Sequence, residues 1–446
     1  MSDMDRRTFL GTAGAALAGA ALNPEEAWGK RPITRPGKKD KYDELRKVGS
    51  RFDKAVETHG GPIKLPPWRY GDSSTATDAV LMFRGNPSHT FYGSGELPST
   101  APKVLWKHRM IDFATKYYGK AHVWRGTGWT GQAMCVDGYV FIGSVGRNYY
   151  AFEAATGKLR WRFQSGRQFK ASSCYYKHHI YIGSVDNYLR CIDASTGTVK
   201  WKLRYSRDLD SSACVVGGKL FVGGENGNVR CIDPDTGQLI WKTFVNGLDR
   251  GPKKGSYGSE TSPAIADGEL YVGTYDGRLV SLDVKTGGLR WEASTGDDTD
   301  ASAVIAGDLV YAASQDKNPY VHCFRRSDGK KVWEFRSRGG FWATPAVADG
   351  VLYIPSAGGK FHALDAKTGK EKWTFNIGRW SWCSPVVLGD KVIFGAFDGQ
   401  LRCLETSKGK LLWSKRLFGR IHSTPCVVDG KIYVGAGSGN FYALGA

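Results

Sequence analysis

Eight tryptophans, at Trp106, Trp161, Trp201, Trp241, Trp291, Trp333, Trp373 and Trp413, predict an all-β protein: an eight-bladed β-propeller of four-stranded antiparallel blades. Most of these tryptophans stand 40 to 42 residues apart, and each closes a copy of the same unit. One copy runs from Cys214 to Gly224, turns at Glu225 to Gly227, continues through Val229 to Asp233 and Thr236-Gly237, and ends on Leu239-Ile240-Trp241. That is four short apolar strands divided by glycine-bearing turns. Composition agrees, since 58 Gly, 21 Tyr, 20 Phe and 15 Trp suit many short strands and tight turns better than a helical bundle.

The N-terminal residues stand outside the repeat. Arg6-Arg7, then Phe9-Leu10, then an Ala/Gly-rich apolar stretch to Leu22 resemble a twin-arginine export signal, with Ala18-Gly19-Ala20 as the expected cleavage site. Residues 1–22 are therefore read as an export signal that directs the chain to the periplasm or beyond. Residues 23–81 read as a basic linker, in which Tyr42, Leu45, Val48, Phe52 and Val56 have the spacing of one amphipathic helix. Residues 82–446 are assigned to the propeller. After Trp413 the chain supplies only three strands, whereas Lys103 to Lys107 is a fourth strand with nothing before it. The two ends are expected to combine into one composite blade that closes the ring and leaves no exposed edge. No apolar run after the N-terminus reaches the ~18–20 residues of a membrane-spanning helix.

The 62 Lys and Arg outnumber the 43 Asp and Glu, for a net charge of +19. This favours anionic surfaces over any specific nucleic acid. The nine cysteines include no Cys-Cys and no Cys-x-x-Cys pair, and most lie in apolar strands such as Arg-Cys-Ile-Asp at 190–193 and 230–233. They read as small buried hydrophobes rather than metal ligands or redox centres.

The run Asp-x-x-Thr-Gly-x-x-x-Trp recurs from Asp193 to Trp201, Asp233 to Trp241, Asp283 to Trp291 and Asp365 to Trp373. Glu153, Arg325 and Glu405 replace the Asp in other copies, and Asp328 and Lys408 replace the Thr. This resembles the pyrroloquinoline-quinone (PQQ) type of propeller repeat, in which the Trp docks between neighbouring blades. Met82 to Thr90 is similar to the lead-in of that group's single-domain members. The resemblance implies the fold directly and function only loosely, because one fold hosts many activities.

Sites in such a ring are expected on the loops that join one blade's outer strand to the next blade's inner strand. Aligned across the blades, the position before the inner-strand Ser/Thr triplet is Thr130, Lys170, Asp210, Glu260, Asp300, Trp342, Trp382 and His422. Slightly earlier come Arg167, Arg207, Arg250, Arg338, Arg379 and Arg420, a candidate basic collar. The longest insertions, Lys107 to Trp129 and Phe244 to Ser259, leave on the same face. Asp210, Glu260 and Asp300 could serve as acid and base or hold a hard cation, and the indoles could stack on a planar ring or a sugar.

Two function classes follow. The first is an exported, non-catalytic binding or assembly scaffold, similar to the propeller subunit of the outer-membrane β-barrel assembly machinery. It would be a monomer without a cofactor that meets an envelope protein or a small ligand at the channel mouth. The second is a PQQ- and calcium-dependent dehydrogenase. Its resemblance implies an adjacent-cysteine disulfide and long inserted loops, and this sequence has no Cys-Cys. Glycan or anionic-polymer binding through Trp342, Trp382 and the arginines is a third reading.

Overall fold

A computed structural model of the protein describes residues 45–46, 48, 53–73, 75–117, 120–127, 131–245 and 258–446. Eight four-stranded antiparallel blades follow one another in chain order, two of them extended by a fifth strand. Blade 1 spans Met134 to Gln164, blade 2 Cys174 to Arg204, blade 3 Cys214 to Phe244 and blade 4 Ala264 to Ser294. Blade 5 spans Val304 to Arg336, blade 6 Ala346 to Asn376 and blade 7 Val386 to Arg416. Blade 8 is composite, because Lys103–Arg109 pairs antiparallel with Asn440–Gly445 beside Lys431–Gly435 and Cys426–Val428. Closure follows the expectation. Among the described residues no helix is long and apolar enough to cross a membrane.

The repeated motif explains how blades lock together. Its carboxylate builds the turn after the third strand: Asp365 Oδ1 accepts from the backbone N–H groups of Lys367 and Thr368 and from the Thr368 hydroxyl. Gly369 then takes a φ of +70°, open to glycine at little cost. Trp333 of blade 5 lies flat against that glycine and donates its indole N–H to Ala366 O at 3.0 Å. The same bond runs from Trp161 to Ala194 O, Trp201 to Pro234 O and Trp106 to Ala154 O. Trp413 faces the composite blade, whose third strand is Asn440–Gly445. Its acceptor is instead Pro98 O, at 2.7 Å.

A second belt runs around the channel. Each inner strand faces the axis and has no further strand to satisfy its first N–H groups. The N–H of Ser172 donates to Ser212 Oγ, that of Ser212 to Ser262 Oγ, that of Ser262 to Ser302 Oγ and that of Ser302 to Thr344 Oγ1, all at 2.9 to 3.1 Å. The Ser/Thr triplet of the repeat is thus a structural requirement.

The lead-in closes one end of the channel. Arg84 is completely buried and donates to Pro345 O and Pro385 O, while its backbone N–H meets Gln132 Oε1 and Gln132 Nε2 reaches Pro425 O. His89 Nδ1 contacts Ala303 O at 2.7 Å, and Tyr92 both donates to Val347 O and accepts from Val347 N. The carbonyls that open onto the axis from blades 5 to 8 thereby gain donors.

Residues 53–73 and 75–81, expected as linker, lie packed on blades 1 to 3. Asp53 is buried and takes Lys202 Nζ at 2.7 Å, Ile63 donates to Ser195 O, and Trp68 packs on Tyr175 and Tyr176. The expected helix is not found at the described residues. Leu45–Arg46 pairs with the outer strand of blade 2 and Ala55–Thr58 with that of blade 1. An outer strand offers a row of unpaired backbone groups, and pairing with them outweighs a weak helical spacing. Leu45, Val48 and Val56 remain exposed, so the apolar stripe never forms a buried face. Tyr42 and Phe52 lie outside the described residues. All nine cysteines are buried, and burial pushes thiols such as Cys191 and Cys383 up to about 12, as suits inert core groups.

Candidate functional site

Lys170, Asp210, Glu260, Asp300, Trp342, Trp382 and His422 line one cavity of about 140 Å³ at the channel mouth, together with the Ser/Thr belt and with Phe83 of the lead-in. Seven of the eight aligned positions thus meet at one cavity. Thr130 and Arg250 lie outside the described residues. Arg167, Arg207, Arg338, Arg379 and Arg420 are exposed and do not line the cavity, so the collar is a rim.

The ring has two halves. On blades 2 to 5, Lys170 Nζ bonds Asp210 Oδ2 at 2.6 Å, with both side chains nearly buried. Tyr275 donates to Glu260 Oε1 at 2.6 Å, and Gln315 Nε2 donates to Asp300 Oδ2. Oxygens of Asp210, Glu225 and Glu260 all lie within 4.8 Å of one another, an arrangement able to hold a hard cation such as calcium. On blades 6 to 8 the wall is aromatic: Trp342 and Trp382 are 5.4 Å apart and tilted by 31°, and His422 stacks on Phe397 at 4.4 Å. Trp380, at the rim, lies nearly parallel to Trp342.

Glu225, Tyr275, Gln315 and Phe397 form a supporting ring that the sequence reading missed. All four occupy the position after the second strand's last Ser, Thr, Gly or Ala, where other blades carry Val145, Val185, Ala357 or Gly437. A second alignment, taken at that hairpin, would have found them. Asp208 and Asp298, two residues before Asp210 and Asp300 in the same loops, were also missed.

Charge crowding dominates the acidic half. Burial, then repulsion from Asp210, Glu260 and Asp208, drives the Glu225 carboxyl well above its usual range. Burial and the Asp210 charge push Asp208 up to about 6 against the pull of Lys170 and Arg167. Burial would strip Lys170 of its proton, but Asp210, Glu260, Glu225 and Asp208 outweigh it and hold that pKa above the lysine norm. An acid whose pKa rises on folding favours the fold below its ordinary pKa, and that contribution is lost as pH climbs through the folded value, here between about 4 and 6. Asp208→Asn is therefore expected to raise unfolding free energy by roughly 1–3 kcal/mol at pH 8 and to change it little at pH 4. Urea unfolding at both pH values checks this, and equal stability at pH 8 would mean that Lys170 and Arg167 offset the crowding.

A closed eight-bladed ring with indoles docked on Thr-Gly turns defines a PQQ-type β-propeller. The chain belongs to the family described as outer membrane protein assembly factor BamB, whose model matches residues 100–335, 298–378, 317–404 and 377–446. No curated protein sequence matches. Among solved structures, BamB from Moraxella catarrhalis is similar at 16% identity and a TM-score of 0.60, over 77% of this chain and all of that one. A europium-containing methanol dehydrogenase reaches a TM-score of 0.67 at 16% identity, over 83% of this chain and 98% of that one. The quinohemoprotein alcohol dehydrogenase from Comamonas testosteroni reaches 0.69 at 16% identity, over 83% and 81%. At this identity the likeness is one of fold, and it extends both to an assembly factor and to quinoprotein enzymes.

Proposed function

We propose that the protein is an exported binding or assembly module of the cell envelope, whose recognition face is the channel mouth. One observation carries this reading: the non-repeating side chains converge in a small cavity of about 140 Å³, below the ~300–1,000 Å³ of pockets that enclose drug-sized ligands and cofactors. Its chemistry also suits PQQ poorly. That quinone is planar and multiply anionic, whereas the cavity presents Asp210, Glu260 and Asp300, and its one lining ammonium, among the described residues, is bonded to Asp210. Trp342 and Trp382 are tilted by 31° and do not form parallel walls for a flat ring. Calcium alone is the better match, with Asp210, Glu225 and Glu260 as the residues that would hold it. The arginine pair at Arg6-Arg7 supports export in a folded state.

The test is a titration of the mature protein with PQQ and calcium, following absorbance and phenazine-dye reduction by alcohols and aldoses. The expected result is neither a stoichiometric bound chromophore nor dye reduction. Stoichiometric quinone binding that is lost in Asp300→Ala and Trp382→Ala, together with turnover, would overturn the binding-module reading and make the protein a quinoprotein dehydrogenase.

A further inference from the structure

We propose that the rim of the channel mouth on blades 5 to 7 docks an acidic segment of a partner protein that also carries aromatic or aliphatic side chains. The inference deepens the reading of the mouth as a binding face and rests on it.

Phe418, in the loop that leaves blade 7, is 64% exposed, the most exposed large apolar side chain among the described residues. Its φ is +57°. In the loops that leave blades 4 and 6 the equivalent positions, four residues before Asp300 and Trp382 as Phe418 is before His422, are Gly296 and Gly378. Those glycines take φ of +79° and +71°. A left-handed backbone is strained for any residue with a Cβ, and the exposed ring returns little burial to offset it. Glycine would make this turn more cheaply, so the ring is read as serving a contact outside the chain's own fold.

Charge supplies the second argument. Arginines elsewhere on the surface are paired, as Arg109 is with Asp112, Arg290 with Asp283 and Arg325 with Asp328. Arg338, Arg379 and Arg420, on the rim of blades 5, 6 and 7, are exposed and pair with no carboxylate among the described residues. The Arg420 guanidinium lies instead over the Phe397 ring at 5.0 Å, and Phe397 is 6.1 Å from Trp380, which is itself 39% exposed. The rim thus joins aromatic faces to cations that await an anion. Tryptophan, phenylalanine and arginine are the residue types that anchor protein interfaces. An acidic glycan would answer the arginines and stack on Trp380, but an apolar side chain covers Phe418 better.

The anchors are also held in place. Each loop is fastened to the next blade, because Trp380 O accepts from Phe397 N at 2.9 Å, Phe418 O from Ser438 N at 3.2 Å and Arg420 O from Gly437 N at 2.7 Å. A surface ordered before its partner arrives loses less entropy on binding.

The probe is a short labelled peptide that alternates Asp and Glu with Phe and Leu, followed by fluorescence anisotropy on the mature protein. Its two controls replace the acids by Asn and Gln, or the apolar residues by Gly. The acidic apolar peptide is expected to bind at least about tenfold more tightly than either control, and more weakly as salt is added. Phe418→Gly should weaken it about tenfold while the melting temperature holds or rises, a combination that a merely structural role would not give. Arg379→Glu should weaken it about tenfold and flatten the salt dependence, whereas Lys367→Glu, the same kind of charge change on a turn of the opposite face, should leave affinity within about twofold. No binding of the acidic apolar peptide would overturn the proposal, as would equal binding of either control or affinity unchanged in both rim variants. Polygalacturonate or phosphatidylglycerol vesicles binding in place of the peptide, with the same loss in the rim variants, would overturn it in favour of a glycan or a membrane. Failure here with a silent PQQ titration removes the rim partner alone; a positive PQQ titration removes the binding-module reading beneath it.

Discussion

Arg84→Ala is expected to destabilise the propeller by ~2–5 kcal/mol, measured by urea unfolding, although Arg84 touches nothing at the channel mouth. The guanidinium is fully buried, bonds Pro345 O and Pro385 O, and stacks over Tyr92 at 4.6 Å. Its removal leaves two buried carbonyls without donors, at ~1–3 kcal/mol each, and a void where the side chain lay. Against this, the wild-type protein bears the desolvation of a buried cation, and burial lowers the Arg84 pKa. The hydrogen bonds and packing should win, because the donors span two blades and nothing else described reaches both carbonyls. Arg84→Met restores the volume without the bonds, so the expected order of stability is wild type, then Met, then Ala. A methionine variant as stable as the wild type would show that the buried charge costs as much as its bonds contribute.

Gly369→Ala should cost ~2–5 kcal/mol, while Gly350→Ala in the same blade should cost only ~1–2 kcal/mol. Both glycines have φ near +70°, so an added methyl meets the same left-handed backbone penalty at either site. Around Gly350 there is open space, whereas a Cβ at Gly369 would sit 2.5 Å from the Trp333 ring. The ring cannot retreat without breaking its bond to Ala366 O, so overpacking adds ~1–3 kcal/mol. Thermal and urea unfolding of the two single variants isolate the value of one blade-to-blade dock. Equal costs would mean that the interface has slack.

The fold was legible because its rule is local and repeated. Each Asp, Thr-Gly and Trp has a job within about 40 residues of its neighbours, so the period in the sequence is the period in space. The cavity-lining ring was legible for the same reason: residues equivalent in the repeat must be equivalent around the axis. Its electrostatics were not. Tyr275 meets Glu260, and Gln315 meets Asp300, from a different hairpin of the blade, and alignment of one loop position cannot see the other. The amphipathic helix failed where spacing was weak and an unpaired sheet edge lay near.

By itself, the sequence determined that the chain is an eight-bladed ring whose last blade is completed by a strand from its N-terminal part. Tertiary structure alone decided three things. It brought the lead-in across the channel, where Arg84 satisfies carbonyls some 260 to 300 residues away in the chain. It placed Arg167, Arg207, Arg338, Arg379 and Arg420 outside the cavity and Asp210, Glu260 and Asp300 within it. And it made the cavity small. Pairings of this range depend on how the closed ring brings remote backbone groups together, and no pattern of neighbouring residues encodes that distance.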